Sequence, residues 1–358
     1  MLDRLTLNRT LLARQSLLER VDVRPLDIVE RLVGMQSQVP FDPYVGLWSR
    51  VRVFDPDAFG RELTERRAVR MTLLRVTLHL VTGDDAFRIR PLLQPMLERA
   101  FAGSVFAREL DGLDLAPVLA RAGELLGRDA LTTSQLRLRL SEEWPDRDAN
   151  ALAYAVRYLV PLVQVTPRGV WGRTLQPTMT TLAAWFDEAP TPDANLEDLV
   201  LRYLRAFGPA TSADIRAWSW LADVRSTLTR LQPRLRTYRD ERGRVLYDVQ
   251  DGIFADPETP APVRFLPQFD NVFLSHADRS RIMDAVRWDQ TFMHRGVLLV
   301  DGFIAGAWKL KLTRTKSEAT LAVDVRVRAS AERRREIRHE AEALLVFLSP
   351  GATTRRLS

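Results

Sequence analysis

Stretches of helical period alternate along the chain with short runs of strand period, and the order in which they come repeats. From Thr6 to Arg20, apolar residues at Leu7, Leu11, Leu12, Leu17 and Leu18 draw a helical stripe. A second helix opens at Pro25 and stops at Gly34, residue types favoured just inside the start and just past the end of a helix. Tyr44 to Val51 is short and aromatic and fits helix or strand equally. Asp57 to Arg67 predicts a helix capped by Asp55, and Ala68 to Thr82 alternates and is rich in Val, Thr and Leu, which predicts paired strands. Helices followed by a hairpin is the order of a winged helix.

That order returns twice. A helix from Ala116 through Leu126, a capped helix from Leu131 to Leu140 and a third from Asp148 to Val160 lead to Val163-Gln164-Val165 and Gly169-Val170-Trp171-Gly172-Arg173, read as a wing. The third copy starts at Leu196 and breaks at Gly208-Pro209. It resumes with Thr211 or Ser212 capping a helix to Leu221, adds a helix from Val224 to Leu231, and ends in a hairpin around the charged turn Arg239 to Arg244. The proline-rich connector from Asp256 to Pro262 is too stiff for helix. Beyond Arg264, Val297 to Val300, Phe303 to Leu312 and Thr320 to Val327 read as antiparallel strands, and Ala331 to Leu348 as a closing helix. The expected fold class is therefore α+β: three tandem winged-helix units (residues 1–110, 111–190 and 191–255) forming a concave scaffold, followed by a β-rich, barrel-like domain with a terminal helix (256–358).

Composition narrows the function classes. With 46% hydrophobic and 27% charged residues the chain reads as a soluble globular protein, and its 358 residues exceed one small core. No apolar run approaches the ~20 residues of a membrane helix. The N-terminus MLDRLTLNRT lacks the basic-then-apolar order of a signal peptide, so a cytoplasmic location is expected. Absence of cysteine removes disulfides, thiolate nucleophiles and cysteine-based metal sites together. His79, His276, His294 and His339 show no ligand spacing. Neither a glycine-rich phosphate loop nor a Gly-x-Ser-x-Gly elbow is present, so no cofactor or metal is expected. The net charge of +6 rests almost wholly on arginine, the lysines being Lys309, Lys311 and Lys316. Guanidinium groups bind phosphate bidentately and stack on bases, and a basic protein is drawn to polyanions. The plain alternative is that many of these arginines pair with acids on solvated helix faces.

The candidate chemistry lies in LVGMQSQVPFDPYVGLWSR, Leu32 to Arg50. Pro40 biases Val39 towards extended geometry. If Met35 to Val39 is extended, Gln36 and Gln38 face one way and Met35, Ser37 and Val39 the other. On the residues alone, two such amides after a helix C-terminus read more simply as caps for its carbonyls.

This stretch resembles the Gln-x-Gln motif of the winged-helix DNA glycosylases of the AlkZ and YcaQ type. The blocks YVGLWSR, Leu74-Arg75-Val76-Thr77-Leu78-His79, Phe207-Gly208-Pro209-Ala210-Thr211, Leu266-Pro267-Gln268-Phe269-Asp270 and Asp301 to Trp308 follow in the family's order. One departure is Val76, where the family more often has glycine. The resemblance implies a monofunctional, metal-free DNA glycosylase that releases bulky N7-alkylpurines and unhooks interstrand crosslinks, in repair or in self-resistance to a genotoxic natural product. Gln36 and Gln38 would position the attacking water and stabilise the sugar cation. The implied partner is double-stranded DNA carrying alkylated purines, bound by a monomer without a protein partner. A non-enzymatic winged-helix DNA-binding or regulatory protein is the competing reading.

Around the motif, Arg75 and His79 stand four apart on an apolar strand, with His79 either satisfied by a backbone carbonyl or touching substrate. Tyr44 could stack on bases; Trp48, spaced to join it, fits core packing better. Arg50 completes the YVGLWSR block as a DNA contact, and Asp270 reads as a structural cap. Candidate DNA contacts further along are the wing arginines Arg168, Arg173, Arg239, Arg242 and Arg244, together with Lys309, Lys311 and Arg314.

Overall fold

The computed structural model describes residues 1–186, 194–286, 289–292 and 294–358, so the expected unit boundary at 190/191 lies outside the described residues. Helix α1 (Arg4–Arg14) is capped by Asp3, which accepts from the Thr6 N–H. It ends at Arg14 rather than running to Arg20, because Ser16 turns left-handed at φ 55°. Helix α2 (Pro25–Arg31) starts on its proline, strand β1 (Met35–Gln36) follows, and Tyr44 falls in helix α3 (Asp42–Trp48). Asp55 caps α4 (Pro56–Thr64) as expected, its carboxylate accepting from the Asp57 and Ala58 N–H groups. Strands β2 (Ala68–Thr72) and β3 (Leu78–Thr82) pair antiparallel and lead into the long helix α5 (Gly83–Ala102).

Short helix α6 (Val105–Arg108) and α7 (Leu115–Arg128) open the second copy. Strand β4 (Leu131–Thr132) precedes α8 (Thr133–Glu143), which starts on a capping box of Thr132 and Gln135; α9 (Ala149–Leu159) follows. The wing is built from β5 (Leu162–Gln164) and β6 (Thr178–Thr181). The expected second wing strand at 169–173 is instead a turn, because Gly169 and Gly172 take φ of 91° and 72°. Helix α10 (Leu182–Phe186) follows. The strands of the first two copies do not form separate wings. They join in one six-stranded sheet, β1-β3-β2-β5-β6-β4, through Arg70 opposite Gln164 and Met71 opposite Val163.

The third copy has α11 (Leu196–Phe207), α12 (Ser212–Ser219) with a capping box of Thr211 and Asp214, α13 (Val224–Leu231), and the hairpin β7 (Leu235–Arg239) and β8 (Val245–Val249). The C-terminal region holds β9 (Arg264–Leu266), α14 (Asn271–Leu274), β10 (Gly296–Val300), β11 (Phe303–Leu312), β12 (Glu318–Val325), α15 (Ala331–Leu348) and β13 (Thr354–Leu357). Its five strands form an open sheet with β13 and β9 at the two edges, packed by α15. One large core joins α1, the first sheet, α11 to α13 and the inner residues of β9 to β11, whereas α7 to α9 enclose a separate core and α15 with the C-terminal sheet a third. Among the described residues no helix is long and apolar enough to cross a membrane.

Candidate active site

After α2 the chain turns left-handed through Val33 and Gly34, with φ of 55° and 87°. A Cβ on Gly34 would stand 2.6 Å from Val81 Cγ1, so this close approach requires glycine. The turn delivers Met35 and Gln36 to the edge of β3, opposite Leu80 and His79, and the Ser37 N–H donates to Leu78 O at 2.7 Å. Met35 and Ser37 point into the core. Both glutamine carboxamides reach the start of β3: Gln36 Oε1 accepts from Arg75 Nη2 at 3.1 Å, and Gln38 Oε1 accepts from the Leu78 N–H at 3.2 Å. Both partners can only donate, which fixes which end of each carboxamide is the oxygen. Each carboxamide keeps its NH₂ and one oxygen lone pair for other partners. Depth separates the two: Gln36 is 7% exposed, a floor, while Gln38 is exposed, a rim.

Two arginines hold this loop. Arg70, from the middle of β2, donates through Nε to Ser37 Oγ at 2.8 Å and through Nη2 to Ser37 O at 2.7 Å, while Nη1 donates to Gln164 Oε1. It thereby clamps the residue between the two glutamines to the second copy's wing. Burial pushes its pKa down to about 10, with Arg168 adding to the effect. A Cβ on Gly169 would stand 2.7 Å from Arg70 Cδ, so the turn at 169–173 closes over this arginine. Sequence reasoning missed Arg70, although a charged side chain amid the alternating apolar run of a predicted inner strand was the available signal.

Arg75 was expected on a strand with His79. It sits instead in the turn between β2 and β3, and Arg75 and Val76 are consecutively left-handed at φ 55° and 58°. The family's preference for glycine at position 76 has its physical reason here, since a β-branched side chain is strained in that conformation. The turn still brings Arg75 to His79, with Nη2 3.5 Å from Nε2, and Arg75 Nη1 donates to Trp218 O on α12. Burial pushes the Arg75 guanidinium down to about 10. His79 Nδ1 stands 2.9 Å from Thr77 O, a carbonyl that can only accept, so Nδ1 carries the proton and Nε2 faces the guanidinium as an acceptor. Burial, then Arg75, hold this imidazole neutral with a pKa of about 3. His79 thus braces the site from behind through a backbone carbonyl.

Asp42, at the start of α3, was also missed. Its Oδ2 is buried without a hydrogen-bond partner, and burial, then the Asp270 carboxylate, push its pKa up to about 7.

The structure withdraws two expected DNA contacts. Tyr44 is buried among Phe41, Phe54, Phe59 and Trp171, with its hydroxyl donating to Gly169 O at 2.9 Å. Arg50 is fully buried and grips both Asp270 oxygens at 2.8 Å, while Asp270 also caps α14. Both faced inward because α3 packs between the two sheets. Trp48 stacks on Phe347.

On the third wing, Arg239 donates to Gly243 O, Arg242 pairs with Asp278, and Arg244 pairs with Asp240 and Asp278, so much of that turn's charge is cancelled within the protein. Arg168 donates to Leu175 O. Arg173, Lys309, Lys311 and Arg314 are exposed and make no ion pair among the described residues.

The sequence matches the family described as DNA glycosylase AlkZ-like over residues 29–347. An interstrand DNA cross-link repair glycosylase from Streptomyces sahachiroi is 26% identical over 339 residues, covering 83% of this chain and 85% of that protein. Among solved structures, the Streptomyces sahachiroi DNA glycosylase AlkZ superposes with a TM-score of 0.71 at 19% identity, over 99% of this chain and 98% of that one, which shows a shared fold.

Proposed function

Because the chain belongs to the AlkZ-like DNA glycosylase family, we propose that it hydrolyses the N-glycosidic bond of bulky N7-alkylpurines in duplex DNA, with Gln36 and Gln38 holding the attacking water against the deoxyribose. An N7-alkylated purine already carries positive charge and leaves as a neutral base, so little acid assistance is needed. The demand falls on the oxocarbenium-like sugar and on the placement of water. A glutamine has no useful basicity near neutral pH. Its carbonyl oxygen can nevertheless accept from water and face developing positive charge, while its NH₂ holds a sugar or phosphate oxygen.

The observation that carries this reading is the fixed placement of both carboxamides at the start of β3, each oxygen held by one donor with a lone pair to spare for water. Hydrolysis without strand cleavage is supported by the lysines. Lys309 and Lys311 lie on β11 and Lys316 in the turn after it, so the Gln-x-Gln loop and the turn holding Arg75 have no lysine amine for a covalent sugar intermediate. The Streptomyces relative, an interstrand DNA cross-link repair glycosylase, extends the proposal to interstrand crosslinks. A base tethered to the opposite strand cannot rotate into a pocket, and a loop of two amides at graded depth needs no such rotation.

The test is a duplex alkylated at guanine N7, incubated with protein and then heated in base. Strand scission dependent on protein is expected, lost in Gln36→Ala/Gln38→Ala while duplex affinity stays within a few-fold. Base release persisting in the double variant would overturn the assignment.

A further inference from the structure

Trp220 combines two costs that a folded protein normally avoids. It follows α12 as the helix's left-handed cap at φ 60°, its N–H donating to Arg216 O, a place where glycine is the favoured residue. Trp220 is also 50% exposed. It lines a cleft of about 560 Å³ between α5 and α12, walled by Met96, Ala100, Ala213 and Ala217 and flanked by Arg99 and Arg216. Both arginines are exposed, and neither forms an ion pair among the described residues. The cleft is coupled to the candidate site: α5 and α12 both pack on the turn at 74–76, and Arg75 bridges Trp218 O to Gln36 Oε1.

Resting on the glycosylase reading above, we infer that this cleft is a DNA-binding subsite in which Trp220 stacks on a base beside the lesion and Arg99 and Arg216 hold the flanking phosphates. An apolar trough with one aromatic plane and two uncancelled guanidinium groups has the chemistry of nucleic-acid binding, in which stacking supplies affinity without sequence preference and the cations supply salt dependence. A protein partner would have no need of the bare charge at both edges.

Trp220→Gly suits the observed φ, so the variant keeps its fold and melts no lower than the parent. Binding is measured to an undamaged duplex and to one with an abasic site, each carrying 2-aminopurine as a stacking reporter. Trp220→Gly should bind at least 10-fold more weakly and lose the change in 2-aminopurine fluorescence, and Trp220→Phe should recover both to within about 3-fold. Arg99→Ala/Arg216→Ala should lower the slope of log Kd against log salt by about 2. Unchanged affinity, fluorescence and salt slope in these variants overturn the subsite. Should the binding losses appear while the parent releases no base from an N7-alkylated duplex, the subsite stands and the glycosylase reading falls.

Discussion

Arg50 and Arg70 are both withdrawn from water, at 0% and 2% exposure, yet they solve the problem of a buried charge in opposite ways. Arg50 faces the Asp270 carboxylate through two nitrogens and adds Gln15 Oε1 and Gly46 O. Its charge is cancelled where it lies, and the pair ties α3 to the C-terminal region. Arg70 is held by Ser37 and Gln164, all neutral oxygens, and keeps its charge directly behind the loop that bears the two glutamines. Desolvating a cation without a counter-ion is costly. The arrangement makes sense on the proposed function, where the missing negative charge arrives with the phosphates of the bound duplex. Burial alone therefore does not distinguish a structural arginine from one that serves the site; the identity of the partner does.

The contrast can be broken most severely at Asp270. Asp270→Ala leaves Arg50 buried and unpaired and removes the cap of α14, so unfolding in urea should show a loss of about 3–5 kcal/mol; a loss below 1 kcal/mol would mean that the pair is not structural. Arg70→Met should cost less stability, about 1–3 kcal/mol for oxygens left without a donor, but should lower base release at least 10-fold with duplex affinity reduced less. If release and stability fall in the same proportion as in Asp270→Ala, Arg70 belongs with Arg50 and not with the site.

A further effect appears only as pH changes and is set by Asp42. With its folded pKa raised to about 7 from 3.8, the folded state holds a proton that the unfolded chain has lost. Stability should accordingly fall as pH rises through that window and level off above it. Asp42→Asn should remove the slope and leave the protein more stable at pH 8, with little change at pH 4. Thermal unfolding of the two proteins across this range measures it, and parallel profiles would show that Asp42 is ionised throughout.

Much of the architecture was legible in the sequence, because caps and periodicity are local. Asp55, Thr132 and Thr211 announce helix starts, and Gly34 the turn that presents Gln36 and Gln38. What escaped depended on contacts distant in sequence. Nothing near Arg50 indicates that Asp270 will lie against it, and nothing near Ser37 points to Arg70 or Gln164. The wing of the second copy was misplaced because β6 follows a long loop whose glycines mimic a hairpin turn. Arg75 met His79 for a different reason than the strand spacing suggested. Two successive left-handed residues are invisible when the second of them is valine.

Since β2 carries partners along both edges, β3 on one side and β5 on the other, the first two copies are riveted into one plate by main-chain hydrogen bonds. Such a plate cannot open and shut like a pair of jaws. Its shape is set when the chain folds, so the loop bearing Gln36 and Gln38 meets whatever it binds from a fixed base.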